Sequence, residues 1–324
     1  MNYIDIFNGD ADGICALHQL RLHEPRPDAR LLSGVKRDIA LLGQVTGVSN
    51  TALTVLDISL DRNRESLEKI LAGRNTVFYA DHHYAGELPA SEDLTAHIDP
   101  QPLICTSLII NQLLEGKHAL WAVVGAFGDN LDEAAEQLAL QLGIDQAALA
   151  LLRETGILLN YNGYGASLKD LFFDPVELFR QVQPYADPRD FYADAVALRT
   201  LKEGYQSDME QAMSFSPIHQ DSSGRVYQLP AEAWSRRVAG VYSNTLARQK
   251  SDLAHALLTE NADKSLRISV RAPLRNRNGA DLLCRQFPTG GGRAAAAGIN
   301  ALPPEQLDAF IRAFSEQFHS ADSV

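Results

Sequence analysis

The chain has 324 residues, a formal net charge of -12 and a pI near 5.2. This balance excludes the tight, sequence-independent binding of duplex DNA, which depends on Lys and Arg neutralising phosphates, but leaves room for a local basic pocket that holds a short anion. Hydrophobic content of 45% with 22% charged residues describes an ordinary globular chain, and the length favours two domains.

In chain order, Tyr3-Ile4-Asp5-Ile6-Phe7 reads as a strand. The acidic glycine loop Asn8-Gly9-Asp10-Ala11-Asp12-Gly13 and an apolar helix from Ile14 follow, the opening of an α/β unit. Further strands are expected at 30–34, at 51–57 and at 76–80, with helical spacing over 63–71 and 107–114. Residues 120–130 form a buried apolar run that fits a helix or a strand, and 131–142 and 146–152 read as helices. Helical spacing broken by Pro184 and Pro188 suggests a connector. Strands then restart at 225–229, 253–259 and 266–271, with a helix over 237–249 and a short one over 279–285. The loop Gly290-Gly291-Gly292-Arg293 is expected to open a helix at Ala294–Ala297, and 304–318 is a clear amphipathic helix. The expected organisation is a largely parallel α/β domain over 1–173, a helical connector over 174–217 and a smaller α/β domain over 218–324. Cys15, Cys105 and Cys284 form no CxxC pair and read as thiols in a reducing compartment. With no signal-like N-terminus and no run of about 18 apolar residues, the chain reads as cytoplasmic, without membrane partners.

Several apolar runs close on acids or imidazoles. Asp10 and Asp12 follow the first strand, Asp57 another, Asp81-His82-His83 the strand at 76–80, and Asp129 the run at 120–130. Each has a bland alternative as a helix cap or turn. Their conjunction points to one edge of a parallel sheet, where open α/β sheets place ligands. Carboxylates with imidazole suit a divalent ion, manganese in preference to magnesium. A pair of ions about 3.5–4 Å apart needs a bridging carboxylate and could activate water for attack on phosphorus.

These segments resemble the successive motifs of the DHH phosphoesterase superfamily, which includes RecJ-type exonucleases, nanoRNases, cyclic-dinucleotide phosphodiesterases and exopolyphosphatases. Leu158-Leu159-Asn160-Tyr161-Asn162-Gly163, Ile268-Ser269-Val270-Arg271 and the glycine-rich stretch from Gly290 to Gly298 extend the likeness over nearly the whole chain. The resemblance implies a two-metal site in which Asp10 binds one ion, Asp12 the other, and Asp57 bridges them. His82 and Asp129 complete the second ion's shell, His83 faces the substrate, and Asp81 supports the histidines. It further implies that Arg271, Gly290, Gly291, Gly292 and Arg293 of the second domain, closing over the site, contact a phosphate or carboxyl-like group. Two positions depart from the pattern: Asn8, a weak ligand, stands where many relatives have histidine, and Arg293 replaces another histidine.

The expected function is metal-dependent hydrolysis of phosphodiesters in short oligonucleotides, nucleotide phosphates or cyclic dinucleotides by a hydroxide held between two ions. Single-strand exonuclease and exopolyphosphatase activity are the enzymatic alternatives. A non-catalytic nucleotide-binding regulator with a damaged first metal site is the alternative of another class. The expected partner is a short single-stranded or mononucleotide substrate, not duplex DNA, and a homodimer is compatible with this reading.

Overall fold

Residues 2–319 are described by a computed structural model. The chain divides into two compact units, Met1–Gly204 and Tyr205–Val324.

In the first unit, β1 (Asn2–Phe7), β2 (Arg30–Leu32), β3 (Thr51–Leu56), β4 (Thr76–Asp81) and β5 (Leu94–Ile98) form a sheet of order β2-β1-β3-β4-β5. Every pairing is parallel. Parallel neighbours need crossovers, and α1 (Ala11–His23) and α2 (Leu60–Leu71) provide two of them. One face of the sheet packs Ile4, Ile6, Leu53, Val55 and Val77 against Leu67 and Ile70 of α2. The chain then builds α3 (Thr106–Leu113), α4 (Ala119–Gly128), α5 (Asp132–Gln141) and α6 (Gln146–Gly163). The ambiguous run at 120–130 is therefore helical. Helix α4 touches α1, α3, α5 and α6, and a helix enclosed by neighbours is apolar all round, which hides its periodicity. Strand β5 has no counterpart in the sequence reading. It is an edge strand whose side chains are only half-buried, so the alternation that signals strands is weak there.

Helices α7 (Pro175–Val182), α8 (Pro188–Asp194) and α9 (Val196–Met213) follow. Pro175 and Pro188 each take the first helical position behind a capping aspartate, Asp174 and Asp187, the place where a missing N–H costs nothing. The division between the units falls inside α9.

In the second unit, β6 (His219–Gln220), β7 (Gly224–Leu229), β8 (Ala254–Glu260), β9 (Leu266–Arg271), β10 (Gly290–Arg293) and β11 (Ala296–Leu302) form a mixed sheet of order β10-β11-β9-β8-β7-β6. Helices α10 (Ala233–Gln249), α11 (Ala280–Cys284) and α12 (Leu307–Phe318) complete it. Phe310 and Phe314 of α12 pack on Val226, Ile268, Val270 and Ile299. The expected loop and helix across 290–297 are corrected: β10 and β11 make an antiparallel hairpin. Alanine carries high helix propensity, but Ala297, Ile299 and Leu302 are buried against the sheet and tertiary packing overrides it. Gly292 sits at φ 139°, and a Cβ there would lie 2.5 Å from the Cα of Ala297, so glycine is needed for the two strands to close. No helix among the described residues is long and apolar enough to cross a membrane.

A buried ion pair ties the first strand to its crossover helix. Arg21 Nε and Nη2 donate to the Asp5 carboxylate at 2.8 and 2.7 Å, and Nη2 also donates to Thr54 Oγ1 at 2.9 Å. Removing one partner leaves the other charge buried and uncompensated. Arg21→Met is expected to cost about 3–5 kcal/mol, read as a lower midpoint in denaturant unfolding of the metal-free protein.

Candidate metal centre

In open α/β sheets, ligands gather at the C-terminal edge where the strand order reverses. Here that point lies between β1 and β3, and it is occupied by acids. Beyond β1 the chain turns sharply. Gly9 passes so near the next loop that a Cβ would stand 2.0 Å from the Gly34 carbonyl oxygen. Asp10 then caps α1, its Oδ1 accepting from Gly13 N at 3.0 Å. The cap expected of this residue and its place among the acids are thus compatible. Asp57 follows β3 with φ 58°, a left-handed conformation that aspartate tolerates better than most residues.

The carboxylate of Asp12 rests on the N-terminus of α3, accepting from Thr106 N at 2.8 Å and Ser107 N at 2.7 Å. Both contacts satisfy helix N–H groups that have no partner within the helix. Thr106 Oγ1 donates to Asp57 Oδ1 at 3.2 Å, and Ser107 Oγ donates to the Asp12 carbonyl at 2.9 Å. Asp129 closes α4. His82 Nδ1 lies 3.1 Å from the Ile104 carbonyl oxygen, which fixes the proton on that nitrogen. The other nitrogen, Nε2, faces Asp57 Oδ1 at 3.4 Å and Asp129 Oδ2 at 3.7 Å. His83 donates from Nδ1 to Asp81 Oδ1 at 2.7 Å and keeps a partly exposed ring.

Asp10, Asp12, Asp57, His82 and Asp129 are therefore brought to one place. Asp12, His82 and Asp129 offer ligand atoms within 4.8 Å of one another, as do Asp57, His82 and His83. Asp10 is in neither group. A lysine has its other oxygen instead: Lys36 Nζ donates to Asp10 Oδ2 at 2.5 Å, to Asn160 Oδ1 at 3.1 Å and to Asp129 Oδ1 at 3.4 Å. Asn8 Nδ2 donates to the Lys36 carbonyl at 3.2 Å, while Asn8 Oδ1 is buried without a hydrogen-bond partner.

The donor chemistry fits a divalent ion beside His82: one imidazole with an oriented Nε2 and three carboxylates, with Thr106 and Ser107 as supports. Around Asp10 the fit is different, because an ammonium already neutralises the carboxylate. Lys36, Thr106, Ser107 and Asn160 were not singled out as site residues from sequence. Lys36 lies 26, 93 and 124 positions from the three oxygens it meets, so no local pattern reveals it. Asn160 had one signal, its place in an asparagine-bearing stretch that resembles the family's.

The electrostatics follow from crowding. Burial, and then the negative charges of Asp10, Asp12, Asp129 and Asp81, hold the Asp57 carboxyl well above its usual range. Burial, only partly offset by Lys36, and the charges of Asp12 and Asp10 raise Asp129 to about 6. Burial would also raise Asp10, but the Lys36 ammonium outweighs it and the carboxyl ends below its usual range. Burial pulls Lys36 downward, yet Asp10, with smaller help from Tyr164 and Asp129, holds it well above its usual value.

The residues expected to contact substrate from the second domain belong to the second unit. Arg271, on β9, donates from Nε to Asn244 Oδ1 at 2.8 Å and from Nη1 to Ser269 Oγ at 2.9 Å. Arg293 ends the edge strand β10 and stands opposite Ala296, which in turn stands opposite Arg271. The two arginines therefore lie in one row across the sheet, and paired residues share a face.

No protein-family model and no curated protein matches the sequence. Solved structures do. The exonuclease RecJ bound to manganese superimposes with a TM-score of 0.62 at 15% identity, covering 98% of this chain and 90% of that one. RecJ from Thermus thermophilus in complex with Mn2+ gives 0.61 at 15% identity, over 97% of this chain and 51% of that one. The pGpG-specific phosphodiesterase PggH from Vibrio cholerae gives 0.54 at 14% identity, over 98% and 99%. A DHH-domain protein described as a member of the S1p family of ribosomal proteins gives 0.60 at 13% identity, over 97% and 86%. The chain thus has the fold of DHH-domain proteins along nearly its whole length.

Raised carboxyls bind protons more readily in the folded chain than in the unfolded one. Between the usual value of 3.8 and about 6, where Asp129 titrates, their contribution to stability falls as pH rises. Asp10, shifted downward, titrates below this window. The buried His18 and His255, both lowered to about 4, pull the opposite way, so the acids are isolated by comparison with a variant. In chelator-treated protein, Asp129→Asn is expected to gain melting temperature over wild type as pH rises from 5 to 7.5. A constant difference across that range would contradict the repulsion among these acids.

Proposed function

We propose that the chain is a metal-dependent phosphoesterase that cleaves phosphodiester bonds in short oligonucleotides, nucleotide phosphates or cyclic dinucleotides. The observation that carries this reading is the meeting of two possible ligand groups, Asp12 with Asp129 and Asp57 with His83, at His82 on the switch point of a DHH-type sheet, with His82 Nε2 turned toward Asp57 and Asp129. Two structural neighbours are a RecJ exonuclease and a pGpG-specific phosphodiesterase, which supports a nucleotide substrate. Single-strand exonuclease action is the same chemistry on a longer substrate. The chain's charge of -12 favours small anions over long ones, since an extended polyanion meets more of the acidic surface.

Two divalent ions, manganese by preference, would supply an activated water and neutralise the phosphoryl oxygens when bound. Asp12, Asp57, His82 and Asp129 would hold one of them, with Asp57 turned toward the other beside Asp10. Hydrolysis joins the water oxygen to phosphorus and breaks the bond to the leaving oxygen, which must gain a proton. His83 is suited to give it: Asp81 takes its Nδ1–H and orients the ring, and Nε2 remains for the substrate. Thr106 and Ser107 keep Asp57 and Asp12 in place. In the second unit, Arg271 and Arg293 would bind a non-scissile phosphate by charge-assisted hydrogen bonds. The glycine backbone of β10 at Gly290, Gly291 and Gly292 would leave room for it, with no side chain in the way.

The test is a substrate panel assayed with Mn2+, containing short RNA and DNA oligomers, linear and cyclic dinucleotides, nucleotide bisphosphates and polyphosphate. Wild type should turn over at least one nucleotide member and lose that activity in chelator. Asp57→Asn keeps the backbone conformation, because asparagine also tolerates the left-handed region. It should lower kcat/KM by more than about a hundredfold. Equal turnover by the variant, or cleavage of polyphosphate alone, would overturn the reading. A second prediction separates the roles of the histidines: His83→Asn should lower kcat while leaving Mn2+ affinity within about threefold, whereas His82→Asn should weaken the ion by about 10–100-fold. Calorimetric titration of both variants with Mn2+ decides it.

A further inference from the structure

Lys36 is held too deliberately to be an accidental neighbour of the acids. Its own N–H donates to the Gly163 carbonyl at 2.9 Å, at the end of α6, and its carbonyl accepts from Asn8 Nδ2 at 3.2 Å. Both backbone polar groups of one loop residue are thus fixed, one to each flank of the site. The side chain then runs inward. Nζ meets three oxygens from three separate segments, those of Asp10, Asp129 and Asn160. It also stands 5.8 Å from the Tyr164 ring centroid, and the Tyr164 hydroxyl accepts from Asn160 Nδ2 at 2.9 Å. Three oxygens around one ammonium match its three donors. The close packing of Gly9 on the Gly34 carbonyl seats the Asn8–Asp10 loop against the loop that carries Lys36.

We infer that Lys36 is a resident cation in place of the ion beside Asp10, so that the chain holds one divalent ion firmly and admits a second only by displacing the lysine. This rests on the metal-dependent reading above and deepens it. The retained ion belongs at His82, where the Asp12–Asp129 and Asp57 donors meet and only Asp129 is shared with the lysine. The other position has Asp10, whose Oδ2 already carries the Lys36 ammonium and whose Oδ1 caps α1, and Asn8, whose Nδ2 is committed to the Lys36 carbonyl and leaves only a neutral oxygen. An incoming dication there meets a fixed positive charge at contact distance, and the two cations compete for the same carboxylate oxygen.

The experiment counts ions rather than turnover. Metal-stripped wild type, Lys36→Met and Lys36→Arg are titrated with Mn2+ by calorimetry, and the loaded samples are examined by electron paramagnetic resonance. Wild type and Lys36→Arg should bind one ion per chain with an isolated six-line signal. A second should bind more weakly by at least about a hundredfold, within the range of strong site-to-site coupling. Lys36→Met, which removes the charge but keeps much of the volume, should bind two ions with affinities within about tenfold and show a spin-coupled spectrum. Two strong, spin-coupled ions in wild type, or a single ion in a folded Lys36→Met, would overturn the inference while leaving the metal-dependent reading intact. Binding of no ion by any of the three would sink both. Melting in saturating Mn2+ shows whether Lys36→Met is folded. If it is not, the wild-type count decides alone.

Discussion

Mutual repulsion among buried carboxylates governs the first unit. Asp10, Asp12, Asp57 and Asp81 are all essentially inaccessible, and four acids in so small a volume cannot all ionise without compensating charge. The fold answers each one differently. Asp12 is given the backbone N–H groups of α3, Asp10 the N-terminus of α1 and an ammonium, and Asp81 an imidazole. Asp57 accepts a threonine hydroxyl, faces His82 Nε2 and stands amid the charges of the others. Burial and those charges hold its carboxyl well above the usual range, and a cation would relieve the crowding.

The backbone around the acids is shaped to the same end. Parallel strands bring β1 and β3 side by side, and their C-terminal ends open at the reversal of strand order. Asn8 N continues the ladder by donating to Leu56 O, and Asp57 N by donating to Ala80 O. The sheet's hydrogen bonding therefore reaches into the site and fixes where the acids begin. Beyond that point the chain uses conformations that ordinary residues avoid: the left-handed turn at Asp57 and the glycine contact at Gly9. Such departures persist where the surroundings over-determine them, and they gather at functional positions.

How much of this was legible in the sequence follows from the range of each interaction. The central strands of both sheets announce themselves because their apolar runs end in turn residues. The acids are visible because each terminates such a run. Strand β5 escaped for want of buried side chains, and the β10–β11 hairpin because glycine and alanine carry too little shape to distinguish a strand from a loop or a helix start. Lys36 lay in a polar stretch with no periodicity. Its meaning depends on Asp129 and Asn160, which the chain brings back only after several further helices. Carboxylates at strand ends are a local signal, whereas the cation that balances them is a tertiary one.

The nature of the cation beside Asp10 limits what the site can do. A divalent ion there could bind water and share it with its neighbour, because it has open coordination positions. An ammonium carries half the charge and no acceptor orbitals. It can only donate hydrogen bonds, and Asp10, Asp129 and Asn160 take the three it has. On the proposed reading, Lys36 in this place would leave activation of water to an ion held by the donors around His82. Lys36 would contribute field rather than coordination, steadying Asp10 and offsetting the repulsion between the acids and a phosphoryl oxygen. Release of the lysine would restore a two-ion arrangement at the expense of separating three hydrogen-bonded partners. A substrate phosphate suits that exchange well, since it offers the ammonium an anionic partner as the carboxylates turn to a second ion. On the proposed reading, substrate and second ion would therefore favour each other's binding, each by removing the contact that excludes the other.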